Sequence, residues 1–372
     1  MNPVKFGVIG VGGIGAVHAA LLAQGEETQL VAVADVDQGR AERVARETGA
    51  RPFCDYRLLV EASGAEAVIV AAPHPLHPAM AEDAARRGLH VLCEKPLATS
   101  VAAADRMLET CRRSGVLLGT VFQQRADPSR RAMKRLLEAG ALGPLHRVSM
   151  EVSFYRPHAY YASAPWRGTW RGEGGGILMQ AAHAFDQLAW LGGLPLGVQA
   201  LTLTRLHDIE VENTAHALFD YGGGKSGWLY TSTAEVHSSE RIEIAGDRGA
   251  LLWEDGRLRH LSLPTSMSQH ALSATRVFQG IGGTWRDIEV EAASEDFDEP
   301  YRQVIRAFAR AVRQGEPSLM LASGEDGLRS LELANAVLLA GRCRQEVALP
   351  LDRDRYERLL QTLQSSPPAP SA

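Results

Sequence analysis

The sequence predicts a chain of α/β followed by α+β character. A doubly wound parallel sheet is expected over residues 1–122, and then a domain built on a large, mainly antiparallel open β-sheet. Three observations carry this expectation. Short apolar runs alternate with helix-like segments through the first third of the chain. One of those runs enters a glycine-rich turn, and another stops abruptly at Glu94-Lys95-Pro96. From Leu145 onward, strand-like runs recur at close intervals, several of them separated by glycine turns.

The first strand, residues 4–9, runs into Gly10-Val11-Gly12-Gly13-Ile14-Gly15, and a helix is expected over 13–23. In that setting the glycines read as a dinucleotide-binding turn. Gly10 permits the bend, Gly12 lets the backbone approach a pyrophosphate, and Gly15 lets helix and strand pack closely. Free amides and the positive dipole end of the helix complete an anion site. A second strand, 30–34, ends at Asp35, about 20 residues past the last glycine, where a carboxylate takes the ribose hydroxyls of NAD. Asp35 would repel a ribose phosphate, so NAD is expected ahead of NADP. Arg40 could accommodate that phosphate, but it reads as an exposed residue of the helix 38–48, for which Asp37 is a candidate N-cap. His18, one turn into the first helix, reads as a packed or solvated residue.

The wholly apolar strand 67–71 suits a parallel sheet covered on both faces. Ala72-Pro73-His74-Pro75-Leu76-His77-Pro78 then forms a loop before a helix at 79–87. The prolines keep His74 and His77 off a regular helix, so the loop is expected against the cofactor, and no metal site is expected. The run 89–93 is a strand that Pro96 stops, holding Lys95 at its tip, on the edge where open α/β sheets bind ligands. Thr99 or Ser100 caps the helix 100–113, and a strand at 115–122 closes this Rossmann sheet.

A helix at 130–139 opens the second domain, expected over 123–350. Its arginines and lysine flank an apolar stripe, so they read as a solvated face. Strands are predicted at 147–155, 197–205, 214–221, 226–233, 240–245 and 250–254, and late helices at 299–314 and 323–341. A C-terminal segment, 351–372, ends in a Ser/Pro/Ala-rich tail read as disordered. Two stretches carry chemistry. Residues 155–171 are crowded with aromatics and arginines, a composition that suits a hydroxyl-rich ligand. After the glycines at 174–176 one continuous helix is expected, with His183 and Asp186 on a shared face and His183 as a general-base candidate.

Composition narrows the functional classes. Of 372 residues, 45% are hydrophobic and 22% charged, with a net charge of -5, so nothing electrostatic favours nucleic acid or an anionic membrane. No apolar run reaches the ~20 residues that span a bilayer. No leader is read at the N-terminus, and four scattered cysteines read as reduced thiols in a cytoplasm.

Three landmarks together resemble the glucose-fructose oxidoreductase / inositol dehydrogenase (Gfo/Idh/MocA) family. They are GVGGIG with Asp35, Cys93-Glu94-Lys95-Pro96, and the glycine bend leading to His183-x-x-Asp186. Ala72-Pro73, Asp127-Pro128 and Trp166-Arg167-Gly168-Thr169-Trp170 add to the likeness. The resemblance implies NAD(P)-dependent oxidation or reduction of a sugar, cyclitol or close relative, and a homodimer or homotetramer formed through the open sheet. Carried over by position, Lys95 is the catalytic lysine and His183 the catalytic histidine. Ile14, Ala72, Pro73, Glu94, Lys95, Gln123, Trp166 and Arg167 join the glycine turn, Asp35 and the two loop histidines around the cofactor. Lys95, Gln123, Tyr155, Tyr160, Trp166, Arg167, Met179 and His183 surround the substrate. Many members have Asp or Asn where this chain has Met179. That departure leaves acid–base work to Lys95 and His183, helped by a tyrosine from 155–161. A cis Lys95–Pro96 bond also fits the resemblance. Two other activities remain open at this point: glycoside cleavage with a recycled NAD, and a non-catalytic NAD or sugar sensor.

Overall fold

The apolar runs of the first third become one parallel sheet in the computed structural model, which describes residues 2–365. Its strands are β1 (Val4–Ile9), β2 (Thr28–Ala34), β3 (Arg51–Phe53), β4 (Ala67–Val70), β5 (His90–Cys93) and β6 (Leu118–Thr120), in the order β3-β2-β1-β4-β5-β6. All four residues of β4 are buried, as a strand covered on both faces requires. The strand order reverses between β1 and β4, where such sheets open a ligand crevice at their carboxyl ends.

Side-chain caps start several helices cleanly. Asp37 accepts from the Arg40 amide, Ser100 from Ala103, and Asp127 from Arg130 with Pro128 in the first turn. The sequence reading missed β3, a three-residue strand containing Pro52 at the sheet's edge, where a missing amide is tolerated. The strand expected at 115–122 is only β6, since the chain turns into a 3-10 segment at Gln123–Ala126. The outer edge of β6 is covered: the Thr120 amide bonds the Ala322 carbonyl, and Gly119 bridges Ser323.

A second sheet holds nine strands: β7 (Leu145–Tyr155), β8 (Gly197–Leu203), β9 (Thr214–Gly222), β10 (Lys225–Ser232), β11 (Ala234–Gly246), β12 (Gly249–Glu254), β13 (Arg257–Ser262), β14 (Thr284–Asp287) and β15 (Val347–Ala348). Their order is β14-β13-β12-β11-β7-β10-β9-β8-β15, antiparallel throughout except for the parallel pair β7–β10. Helices Ala182–Gly192 and Gly324–Cys343 cover one face, onto which Ala217, Phe219 and Leu229 point. On the other face Leu218 and Trp228 are exposed. The late helices also bind the two sheets together. Phe308 packs on Phe6 at 6.3 Å between ring centroids, and Asn335 accepts a hydrogen bond from the Val101 amide.

The helix Arg353–Ser365 ends the described region, and most of the tail expected to be disordered lies outside it. Among the described residues, no helix is long and apolar enough to cross a membrane.

Candidate active site

The parallel sheet brings the glycine turn, the Ala72-Pro73 loop and the Glu94-Lys95-Pro96 turn to the same edge, because each follows the carboxyl end of a neighbouring strand. Gly10 has φ +85°, and a methyl at Gly15 would collide with the Gly10 carbonyl oxygen, so this turn admits only glycine there. Gly12 and Gly13 face open space, and the helix Gly13–Gln24 begins without a side-chain cap. Its first amides are thus available to an anion, so the turn fits a dinucleotide pyrophosphate.

Asp35 is almost wholly buried beside that turn. It accepts from the Val11 amide at 3.0 Å and the Asp37 amide at 2.9 Å. Arg40 is not the exposed bystander expected from the sequence. It is half-buried, and its Nη1 donates to both Asp35 oxygens, at 3.1 and 3.2 Å. A carboxylate has about four acceptor positions and these four contacts take them, so a ribose hydroxyl would take a position that Arg40 now holds.

His18 is fully buried. Its Nε2 lies 2.8 Å from Glu94 Oε1, joining the glycine helix to the turn that carries Lys95. Burial pushes the Glu94 carboxyl up, but the His18 hydrogen bond and the Lys95 charge prevail and hold it below its usual value. Tyr301 stacks edge-on against His18 and receives a hydrogen bond from Gln123 Nε2 at 3.0 Å. The loop histidines are interior residues. His77 sits between the Pro96 and Ala72 carbonyl oxygens, at 2.9 and 2.6 Å, and so braces the loop. His74 is buried beside it, 6.3 Å from the Trp166 ring. The Lys95–Pro96 peptide is cis.

Lys95 and His183, 88 positions apart in the sequence, line one cavity of about 440 Å³. Tyr160, Met179, Gln180 and Arg156 share its wall. Lys95 Nζ donates to the main-chain oxygen of Met179 at 3.4 Å, so at this position the backbone rather than a side chain holds the lysine. Burial lowers the Lys95 pKa; Arg156 and Arg167 add to this and Glu94 opposes it. Burial, reinforced by the charges of Lys95 and Arg130, drives the His183 pKa well down, which keeps the imidazole neutral. The Tyr160 hydroxyl receives hydrogen bonds from Arg167 and from Gln180 Nε2, so its own proton is free to point elsewhere.

Other expected contacts lie elsewhere. Tyr155, 53% exposed, is outside the walls of this cavity, as are Trp166 and Arg167. Gln123 lines a neighbouring space of about 1030 Å³, bounded by the helix Pro128–Glu138 and residues 289–297, whereas Gln124 lines both. The larger space lacks both Lys95 and His183, so the smaller one is the candidate reaction site.

The segment after the glycines is two helices, Gly176–Gln180 and Ala182–Gly192, broken at Ala181. Gly176 is pressed against the Glu212 carbonyl, where no side chain fits. Asp186 does not orient His183: it is fully buried and takes three hydrogen bonds from Arg125, at 2.6 to 3.1 Å. Arg125 also reaches Asp326 at 3.1 Å and the Leu321 carbonyl. Sequence reading missed this arginine, since only the fold brings residues 125, 186 and 326 together. It also missed Glu173 and Glu212, buried beneath the bend, where burial raises their pKa values to about 8 and about 7. A lone acid flanked by glycines, as Glu173 is, was the available signal.

Two family models match the chain. Residues 4–122 fit the oxidoreductase family with an NAD-binding Rossmann fold, and residues 130–252 fit the GFO/IDH/MocA C-terminal domain. The chain is 26% identical to a myo-inositol 2-dehydrogenase of Thermotoga maritima, over 90% of this chain and 95% of that one. It is 30% identical to a D-xylose 1-dehydrogenase (NADP(+)) of Haloferax volcanii, over 84% and 90% respectively. Among solved structures, the WlbA dehydrogenase of Bordetella pertussis, in complex with NADH and UDP-GlcNAcA, superposes with a TM-score of 0.79 at 29% identity. That match covers 94% of this chain and 100% of the other.

Proposed function

The chain belongs to the GFO/IDH/MocA oxidoreductase family, with its NAD-binding Rossmann fold, and on that premise we propose that it is an NAD(P)-dependent dehydrogenase acting on a secondary alcohol or ketone of a sugar, cyclitol or sugar derivative. The observation that carries the reading is the meeting of Lys95 and His183 in one cavity, at the edge of the sheet that holds the dinucleotide turn. When bound, the nicotinamide supplies the two-electron acceptor or donor. In the oxidative direction His183, neutral because it is buried, removes the hydroxyl proton as the carbon gives up hydride. Lys95 holds its ammonium toward the oxygen and offsets the developing alkoxide charge. Tyr160 adds a second donor. The test is a panel of inositols and aldoses with NAD, read as NADH absorbance. Turnover of a member supports the reading, and no turnover anywhere on the panel counts against it.

The cofactor belongs with residues 1–122 and the substrate with residues 123–350 in this reading. NAD is favoured, because Asp35 follows the end of β2, where a carboxylate in such a fold takes the ribose hydroxyls, and Arg40 is engaged by it. Asp35→Ser removes one charged acceptor and frees Arg40. It shifts the ratio of kcat/KM for NADP over NAD upward by about 10- to 100-fold, the worth of one hydrogen bond to a charged group. An unchanged ratio would remove Asp35 from cofactor choice.

Two further parts of the proposal concern the setting. The four free cysteines, one of them the exposed Cys54, suit a reducing, cytoplasmic location. The outer face of the nine-stranded sheet, with Leu218 and Trp228 exposed, suits pairing with a second copy of the chain. Light scattering is expected to give a dimer or tetramer, and Leu218→Glu with Trp228→Glu to lower that mass. A monomeric wild-type protein would overturn the assembly.

A further inference from the structure

We propose that the substrate carries an oxyanion, a carboxylate or phosphate on the polyol, and that Arg156 grips it with Arg167 in support. This rests on the dehydrogenase reading for the identity of the site, but its evidence is the charge pattern around the cavity, whose wall holds Arg156 and whose Tyr160 has Arg167 stacked on it from outside that wall. Two acids line the cavity, and neither neutralises the arginines. Glu240 is matched by Arg130 at 2.7 Å, and Asp255 is exposed at the turn between β12 and β13. Among the described residues no carboxylate lies within ion-pair distance of Arg156 or Arg167. By contrast Arg125, Arg130 and Arg353, withdrawn from solvent to a similar or greater degree, each have one.

Both guanidinium groups are also held in place. Arg156 lies over the rings of Phe154 and Tyr160, at 4.7 and 4.8 Å, and its Nε donates to Gln180 Oε1 at 3.4 Å. Arg167 lies over Tyr160 and Trp166, at 4.3 and 4.6 Å, and its buried Nε has no hydrogen-bond partner among the described residues. Two arginines on one tyrosine, beside Lys95, repel one another in the free enzyme. An anion settling among them relieves that repulsion, which is why such a cluster favours a charged ligand. The planar fork of arginine matches carboxylate and phosphate oxygens, and stacking fixes it in advance. The dinucleotide pyrophosphate does not need this cluster, because the glycine turn and its helix amides already serve it. A volume of about 440 Å³ lies within the usual range for small-molecule sites, so it can hold a sugar ring with a charged substituent.

The test compares D-glucose with D-glucuronate and D-glucose 6-phosphate, and myo-inositol with an inositol monophosphate, using the full-length enzyme and NAD. At least one anion is expected to exceed its neutral parent in kcat/KM by about 10- to 100-fold, as a hydrogen-bonded charge pair allows. The uronate and phosphate arms distinguish the two oxyanions. The preference shrinks as salt is raised, and Arg156→Gln brings it close to unity, whereas Arg156→Lys keeps part of it. Neutral parents that match or exceed every anion overturn the inference and leave the dehydrogenase reading standing, as does a preference that Arg156→Gln leaves intact. If nothing on the panel is oxidised, titration calorimetry on the enzyme with NADH separates the two ideas. Anion binding lost in Arg156→Gln upholds the oxyanion site and counts against hydride transfer, whereas no anion binding overturns the site.

Discussion

Lys95→Ala lowers kcat by roughly a hundredfold to ten-thousandfold, the range that a positioned proton-transfer or charge-stabilising group contributes. The size of the effect follows from where the ammonium sits. It is at the tip of β5, in the cavity wall with His183, held by the Met179 carbonyl and, among the described residues, by no side chain. NAD affinity changes little, because the glycine turn and Asp35 follow β1 and β2, away from the tip of β5. Equilibrium titration with NADH and single-turnover kinetics check the two halves separately. The pH profile adds a signature. Burial, Arg156 and Arg167 bring the Lys95 pKa below the usual lysine value, so alcohol oxidation that needs the ammonium declines at an alkaline limb lower than an ordinary lysine would give. That limb is absent in Lys95→Ala. A variant with wild-type turnover removes Lys95 from the chemistry.

Asp186→Ala costs about 3–5 kcal/mol of stability, the usual penalty when one partner of a buried ion pair is removed and the other stays buried. Arg125 would remain without solvent, its charge answered only by the more exposed Asp326. The double replacement Arg125→Met with Asp186→Leu costs less than Asp186→Ala alone, because no unpaired charge is left behind. Urea unfolding of the three variants measures this. A midpoint for Asp186→Ala within error of the wild type would show that the pair contributes nothing to stability. The loss also reaches the site, since Asp186 follows His183 by three residues on the helix that Arg125 ties to the segment after β6. A rise in KM, alongside the fall in stability, is the expected trace of that loosening.

The chain's local chemistry was readable because its causes are local. Alternating apolar runs, the glycine turn with Asp35, and the caps at Asp37 and Ser100 each depend on residues a few positions apart. What escaped had weak local signals. β14 is wholly exposed and shows no buried face, β15 has two residues, and β3 contains a proline. The helix after the glycine bend breaks at Ala181, and its first residue, Gly176, is wedged against the Glu212 carbonyl; no pattern within the segment records either. The sequence places the His74 and His77 loop against a cofactor, and the resemblance adds Glu94; what it did not record is how these residues are packed. In the fold they are buried, and two of them brace the loops that carry the site.

The sequence by itself determined five strands of the parallel sheet in chain order, the dinucleotide turn, and the two residues worth pursuing for acid–base chemistry. Only the tertiary structure decided that Lys95 and His183 share a wall, that Asp186 belongs to Arg125, and that Arg156 and Arg167 stand beside the site with no carboxylate at ion-pair distance among the described residues. The physical reason is range. Backbone geometry, capping and amphipathic period act within a turn or a strand, but charge pairing and cavity walls depend on strand order and on which elements pack together. Those follow from the whole chain burying its apolar surface at once.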